Sequence, residues 1–340
     1  MAKTPPPSFD SINFIAPLML IAFLCIGFIP NWEAVDKIAP QWLVMSGLNF
    51  LSILFFTYNR SSLSRVLSLN LKSTLSLTYI AFILWALASV LYAINPTEVI
   101  VNISRQGNVF LMYFSMAVFL FSLKNKTRFI SWLITLILGI EIYAVLTEAM
   151  GMIQNFGVIQ PGALKGVTAN RNITAFSIAI KIPFVLFLIH LVQKGWIKIV
   201  LSFLVCLALL CLSMIQSRAS FIAVGLTVVA YIAMHGVLYI KLNKKWQQLL
   251  QIGYLVIPLV LALLINQTFL SSKGADALSR AATISVSTSD GSVNQRLRYY
   301  EDVLTHLSSH PIFGVGLGNW KLKSIDYDSR DIKGYVVPYH

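Results

Sequence analysis

Nine long apolar runs, joined by short polar segments, dominate this chain. A helix needs about 17–25 mostly apolar residues to cross a bilayer. The runs therefore predict transmembrane helices at 12–30, 41–58, 75–94, 107–123, 128–149, 172–192, 196–215, 219–239 and 249–270. Charged residues make up 11% of the chain, far below the roughly 25% of soluble domains. We predict an all-α polytopic membrane protein, with a transmembrane domain at 1–270 and an external loop region at 271–340.

The distribution of basic residues predicts the orientation of the spans. If the N-terminus is cytoplasmic, the inner segments and span ends hold 12 lysines and arginines and the short outer loops hold 5. This bias follows the positive-inside rule and places 271–340 on the outer, periplasmic side. The net charge of +13 does not indicate nucleic-acid binding, because the basic residues form no single face or motif.

The external region begins with a stretch rich in Ser, Thr and Ala (271–292), which we predict to be a flexible linker. A helix is predicted at 294–309 and ends before His310-Pro311. It is amphipathic, because five apolar residues share one face at helical spacing. These residues are Leu297, Tyr300, Val303, Leu304 and Leu307. The face is expected to lie against the membrane surface or against the spans.

Two short patterns and three cysteines are assigned no chemistry. Gly314-Val-Gly-Leu-Gly318 lacks the strand and helix that flank a nucleotide-binding loop. Asp326-Tyr-Asp328 is too short to indicate a metal site. The cysteines all lie inside apolar runs, with neither disulfide nor metal spacing, at Cys25, Cys206 and Cys211. No metal or cofactor is therefore expected.

Three charged residues lie in or beside predicted spans. Glu141 and Glu148 are seven residues apart in the fifth span and share a face, and Lys181 lies in the sixth. An ordinary interpretation makes Glu141 and Lys181 a buried ion pair and Glu148 an interfacial charge. In the functional interpretation all three line a wet cavity, since ionisable residues within membranes are usually functional.

Four arginines fall on the predicted outer side, namely Arg171, Arg218, Arg296 and Arg298. Taken singly, each has an ordinary explanation as a snorkelling side chain, a topology charge or part of a solvated helix face. Together they are able to converge, and the natural ligand of converging arginines is a phosphate or diphosphate.

The order of these motifs resembles the bacterial O-antigen ligase and O-antigen polymerase superfamily. The resemblance is carried by Gln216-Ser-Arg-Ala219, by Arg296-Leu-Arg-Tyr-Tyr300 and by His310–Trp320. Lys165–Asn172 also resembles an element of that family that precedes a span. The resemblance implies a metal-independent glycosyltransferase that moves a glycan from a polyprenyl-diphosphate carrier to an acceptor, such as lipid A-core, at the outer face of the bacterial inner membrane.

The same resemblance assigns roles to individual residues. By resemblance, Arg218 and Arg296 would contact the diphosphate. As a separate hypothesis, Arg298, Arg171 and Asn172 would assist in binding the substrate. The family continues with a His-x-His-Asn pattern whose first histidine matches His340, so the usual catalytic histidine is expected beyond residue 340. We therefore expect a longer protein with further spans, in which His340 is a candidate base or acceptor contact.

Two other functions fit the sequence. A polymerase of the same superfamily would use the same donor with a second carrier-linked glycan as acceptor. A transporter of polysaccharide or of a lipid-linked substrate would explain the charged residues of spans five and six. No inverted repeat or matching pair of broken helices supports the transporter.

Overall fold

The computed structural model describes residues 9–30, 32–36, 38–241, 246–282 and 291–327. Regular structure in these ranges is helical, without a strand. The α-helices are α1 (Phe9–Leu24), α2 (Ala39–Tyr58), α3 (Arg60–Leu71), α4 (Thr74–Ala88), α5 (Pro96–Ser122), α6 (Lys126–Phe156), α7 (Arg171–Leu191), α8 (Gly195–Ile215), α9 (Arg218–Lys241), α10 (Trp246–Ile265), α11 (Ala277–Ala282), α12 (Gly291–Ser309) and α13 (Trp320–Lys323).

The prediction of an all-α polytopic membrane fold is confirmed. Among the described residues, 7 helices are long and apolar enough to cross a membrane. They correspond to α2, α4, α6, α7, α8, α9 and α10 with short extensions. The remaining two predicted spans, 12–30 and 107–123, are also helical, as α1 and within α5. The number of nine crossings stays a prediction.

Helix α5 is longer and more polar than the predicted span because its polar residues bond to neighbouring helices. Asn49 of α2 donates to the backbone oxygen of Asn108 at 2.9 Å. Tyr79 of α4 donates to Gln106 at 2.8 Å. A polar group that is bonded within a helix bundle need not face lipid. Composition alone therefore understates the length of α5.

Helix α3 was not predicted. It follows α2 directly at Asn59, which accepts from the backbone amides of the first helical turn at 3.1 Å. Its sequence is rich in serine and carries two arginines, so no apolar run marks it. Leu63 and Asn70 are nevertheless buried, which fixes the helix against its surroundings.

The helices form two compact units. The first comprises Met1–Lys124 with Ser285–His340, and the second comprises Asn125–Ile284. In the first unit α5 contacts α1, α2, α3 and α4, and Phe119 of α5 packs on Phe56 with ring centroids 5.0 Å apart. The predicted boundary near residue 270 was drawn at a membrane surface and stays a prediction.

Helices α7 and α8 form the centre of the second unit, packed against α6, α9 and α10. Small side chains on both helices, including Ala175, Ala179 and Ala208, are buried, and small residues let transmembrane helices approach closely. Larger apolar side chains such as Ile182 and Leu212 fill the rest of this core. The second unit thereby forms a rigid base for the polar segments at its ends.

Candidate functional site

Arg218 stands at a tight turn between two helices of the second unit. Helix α8 ends at Gln216, which has a left-handed backbone with φ of 56°. Arg218 then opens α9, and Ser217 behind it is buried and accepts from Ser220 at 2.7 Å. This geometry holds the half-buried Arg218 at one end of the unit.

The segment after α10 packs onto this turn. The buried Asn266 donates to Ser213 at 3.1 Å and to the Ala275 oxygen at 2.7 Å, and it accepts from the Ala277 amide at 3.0 Å. Gln216 donates to the Asp276 oxygen at 3.0 Å. Residues 271–282 are therefore a folded, hydrogen-bonded segment, and the prediction of a flexible linker is wrong for them. Residues 283–290 of that predicted linker lie outside the described residues.

Arg280 is a cation at this turn that sequence reasoning missed. Its Nε donates to the Gln216 oxygen at 3.4 Å, which brings it to the turn that carries Arg218. The triplet Ser279-Arg-Ala281 repeats Ser217-Arg-Ala219, and this repeat was the only sequence pattern able to single Arg280 out. Arg280 was missed because residues 271–292, rich in Ser, Thr and Ala, were interpreted as a flexible linker.

An apolar cavity of about 410 Å³ lies beside this turn. Helices α8, α9, α10 and α11 line it, and its polar lining includes Ser213, the partner of Asn266. Leu278 and Ala281 contribute to its wall from either side of Arg280. Two arginines are thus carried by segments that border an apolar cavity, an arrangement that suits an anionic head with a hydrocarbon tail.

The loop between α6 and α7 belongs to the same end of the unit. Glu148 accepts from the backbone amides of Lys165 and Gly166 at 3.0 and 2.9 Å. The Ile159 amide donates to the Lys273 oxygen at 2.6 Å, which joins the loop to the segment that carries Arg280. Glu148 therefore anchors a loop, a role that the sequence did not indicate, and its position at the membrane interface stays a prediction.

Arg171 and Asn172 open α7 after this loop. Asn170 is the N-cap, and its side chain accepts from the Asn172 amide at 2.9 Å. Arg171 is half-buried and Asn172 is exposed. We call the part of the second unit formed by residues 157–172, 213–218 and 266–282 the Arg218 end.

Arg296 and Arg298 lie on α12 in the first unit. Arg296 is exposed, whereas Arg298 lies partly buried over the Tyr299 ring, 5.7 Å from its centroid. Arg298 lines a cavity of about 650 Å³ that also contains Glu301 and Asp302. These two carboxyl groups reduce the positive potential around Arg298. The convergence of the four predicted arginines stays a prediction.

The predicted amphipathic helix is present as α12, but its buried side is the polar one. Asp302 and His306 are buried, while Leu304 is 66% exposed. Tyr300 and Leu297 are exposed on the same apolar face. Contact of this face with the membrane surface remains an expectation from the sequence.

The glycine-rich segment that follows α12 anchors the predicted external region to the start of α5. Asn319 is fully buried and bonds both backbone groups of Asn95, accepting from its amide at 2.7 Å and donating to its oxygen at 3.3 Å. Lys321 pairs with Glu98 at 2.8 Å. This bond from Lys321, together with one from Asn102, lowers the pKa of the Glu98 carboxyl. The segment therefore packs the end of α12 against the start of α5, a role that its sequence did not indicate.

Gly318→Ala should destabilise this anchor by about 2 kcal/mol. Gly318 has φ of 77°, and an added Cβ would lie 2.3 Å from Nδ2 of Asn102, which is itself held by the Glu98 backbone oxygen at 2.8 Å. Thermal denaturation and limited proteolysis of the purified protein measure the effect. Gly314→Ala is the matched control, because φ there is also positive at 61° but nothing lies within 4 Å. Equal losses for both variants would show that the contact with Asn102 is unimportant.

Inside the second unit, Glu141 and Lys181 form the ion pair that the ordinary interpretation predicted. Nζ of Lys181 lies 2.9 Å from both carboxylate oxygens, and Ser177 donates to the same carboxylate at 2.7 Å. The Glu141 side chain is 8% exposed and that of Lys181 15%. Both charges are therefore compensated within the helix bundle.

Two histidines near the end of α12 form a second polar cluster that the sequence reasoning had not considered. The rings of His306 and His310 stack with centroids 4.6 Å apart and planes 6° from parallel. Nδ1 of His306 bonds the Tyr327 hydroxyl at 2.9 Å. Burial, reinforced by the nearby charges of His310 and Lys323, lowers the pKa of His306, although the Gly314 backbone opposes the shift. His306 is therefore neutral near pH 7.

Comparison with known protein families gives one match. A sequence model of the family described as O-antigen ligase matches residues 203–340, which we call the O-antigen ligase region. The match covers less than half of the chain and supports the O-antigen ligase superfamily. No curated protein matches the chain, and no solved structure does.

The O-antigen ligase region contains most of the candidate residues. It begins within α8 and includes Arg218, Arg280, Arg296 and Arg298, whereas Arg171 and Asn172 precede it. His340 also falls within the match but lies outside the described residues, as does Asp328 of the short acidic pattern.

Asp326 of the short acidic pattern pairs with Lys323 at 2.7 Å. Among the described residues no three His, Cys, Asp or Glu side chains are grouped as a metal site requires.

Proposed function

We propose that this protein is a glycosyltransferase that moves a glycan from a polyprenyl-diphosphate carrier to an acceptor at the periplasmic face of the bacterial inner membrane. The family match supports transfer of the O-antigen ligase or polymerase type. The observation that carries the choice of donor is the Arg218 end, where Arg218 and Arg280 lie at one turn beside an apolar groove. A lipid diphosphate has both parts that such a site requires.

The arginines supply the chemistry of the leaving group. Breaking the anomeric C–O bond leaves both bonding electrons on the carrier diphosphate, so negative charge develops on its terminal phosphate. A guanidinium group stabilises this charge through paired N–H donors in a fixed geometry. Such stabilisation is large where water is excluded. Arg218 takes this role, and Arg280 and Arg171 assist from the same end of the unit. Arg296 and, more weakly, Arg298 are assigned to the diphosphate from α12.

The acceptor must lose a proton as its hydroxyl oxygen attacks the anomeric carbon. A histidine with a pKa near neutrality is suited to accept it. His340 is a candidate for this step or for contact with the acceptor, and its role rests on the family pattern alone. A single displacement without a covalent intermediate inverts the anomeric centre.

The second candidate function is polymerisation by the same chemistry, with a carrier-linked glycan in place of lipid A-core as the acceptor. Both candidates share the donor and therefore the Arg218 end, so only the acceptor distinguishes them. A transporter is less well supported, because Glu141 and Lys181 neutralise each other and neither is left as a free charge on a translocation path.

The test is transfer by the purified full-length protein. A polyprenyl-diphosphate-linked glycan is incubated with lipid A-core or with a second carrier-linked glycan, in the presence of a chelator, for wild type and Arg296→Ala. Chelator-resistant product that is lost in Arg296→Ala supports the proposal, and the acceptor consumed selects ligase or polymerase. Folded protein that gives no covalent product with either acceptor, but substrate flux in liposomes, would instead establish a transporter.

A further inference from the structure

A cavity of about 470 Å³ opens in the first unit, and none of the residues assigned to the diphosphate is part of its lining. It is formed by Tyr92 and Ile94 after α4, by the end of α12 with the following turn, and by Lys323. Its volume falls within the roughly 300–1,000 Å³ of small-molecule sites. It is therefore large enough for a specific ligand.

One wall of the cavity is aromatic. Phe313 stacks on Trp85 with centroids 5.8 Å apart and planes 9° from parallel. Tyr92 meets the same ring edge-on, at 5.5 Å and 70°. Phe313 remains 59% exposed, so Trp85 covers one face of the ring and leaves the other open. An open aromatic face attracts weakly positive C–H groups, because its own quadrupole is negative there.

Another part of the lining is polar and is held in place by its own hydrogen bonds. The stacked rings of His306 and His310 line it, and the hydroxyls of Tyr327 and Ser309 bond one Nδ1 each at 2.9 Å. Lys323 is fixed by Asp326 at 2.7 Å. The donors and acceptors of this wall are thus presented in a fixed arrangement.

His310 is the histidine of this wall that a ligand is able to reach. His306 is only 4% exposed, and its ring is held by Tyr327 and by the Gly314 backbone. His310, by contrast, is exposed and lines the cavity, so its ring is available to a ligand hydroxyl.

We propose that this cavity binds a sugar ring of the glycan substrate. A pyranose presents C–H groups on its face and hydroxyls around its rim, which match the Phe313 face and the histidine wall. A diphosphate matches less well, because Asp326 offsets the charge of Lys323 and Phe313 offers no hydrogen bond. The inference rests on the proposed function only in that the sugar is taken to be part of the transferred or accepting glycan.

The test is direct binding of free sugars to the full-length protein in lipid nanodiscs. Saturation-transfer NMR with a panel of hexoses, deoxyhexoses and N-acetylhexosamines reports which ring protons contact the protein. At least one sugar should bind saturably, and Phe313→Leu should weaken it about tenfold, the upper range of an aromatic contact. Phe50→Leu is the matched control, since Phe50 of α2 is similarly exposed and lies outside the cavity lining.

Two outcomes would overturn the inference. One is the absence of saturable binding by every sugar of the panel. The other is binding that Phe313→Leu and Phe50→Leu leave equally intact, which would make Trp85 and Phe313 interfacial aromatic residues of the kind found at membrane surfaces. If Phe313→Leu fails to fold, Tyr92→Leu provides the same comparison on the same wall.

A second probe separates this inference from the proposed function. Binding of a short isoprenyl diphosphate that carries no sugar is measured for wild type, Arg218→Ala and Phe313→Leu. Sugar binding without diphosphate binding would preserve the cavity and contradict the proposed donor. Diphosphate binding and glycan transfer without sugar binding would preserve the function and refute the cavity. Both proposals are supported if Arg218→Ala weakens only the binding of the isoprenyl diphosphate and Phe313→Leu weakens only the binding of the sugar.

Discussion

Arg218→Ala should lower the initial rate of glycan transfer by about a hundredfold. The loss of one preorganised donor to developing negative charge raises the activation free energy by about 3 kcal/mol. Arg218 is the first residue of α9, and Asn266 and Gln216 hold the surrounding segment by hydrogen bonds that do not involve the Arg218 side chain. The fold should therefore survive the substitution. Initial rates with a saturating carrier-linked donor measure the effect.

Three further variants identify the cause of that loss. Arg218→Lys keeps the positive charge but loses the paired donors, so its rate should lie between wild type and Arg218→Ala. Arg280→Ala should cost less than Arg218→Ala, because part of the Arg280 donor capacity already serves the Gln216 oxygen. Arg105→Ala is the control, since Arg105 is exposed and pairs only weakly, at 3.4 Å, with the exposed Asp36. A rate for Arg218→Ala equal to that of Arg105→Ala would remove Arg218 from the site.

The spans were predictable because the bilayer imposes a simple requirement on sequence. Each helix must bury its backbone polar groups within itself and show apolar side chains to lipid. Runs such as 196–215 meet this requirement and were placed nearly to the residue, as α8 shows. A search for apolar runs does not find α3, because α3 is short and rich in serine. The same search predicts too short a helix for α5, because the polar residues of α5 bond to other helices.

The candidate site was predictable only at residues whose type alone indicates a function, such as an arginine beside a transmembrane helix. Arginines near span ends drew attention by themselves, which is why Arg218 was found. Arg280 was missed because its position depends on long-range hydrogen bonds of Asn266 and Gln216 with the segment that contains it. The histidine cluster was missed because it requires Tyr327 and Phe313 to meet the end of α12 in space. The composition of a local segment reveals neither the hydrogen bonds around Arg280 nor the contacts of the histidine cluster.

The ion pair of Glu141 and Lys181 provides the second large effect. Glu141→Leu and Lys181→Met should each lower the free energy of unfolding by about 3–5 kcal/mol, because each leaves one buried charge without its partner. The double variant Glu141→Leu with Lys181→Met should recover most of this loss, since it removes both charges and keeps apolar volume. Thermal denaturation of the three variants in detergent ranks them. Losses that simply add in the double variant would show that the two residues do not act as a pair.

The same variants separate a structural pair from an ion path. Under the proposed function, the double variant should retain glycan transfer, because the pair joins α6 to α7 within the helix bundle and neutralises its own charges. A coupled-ion transporter would lose substrate flux in that variant even though the fold is restored, because protonation of a membrane carboxylate is the step that couples the ion. Recovered stability with retained transfer therefore supports the glycosyltransferase. Recovered stability with loss of all activity would return Glu141 and Lys181 to the functional interpretation.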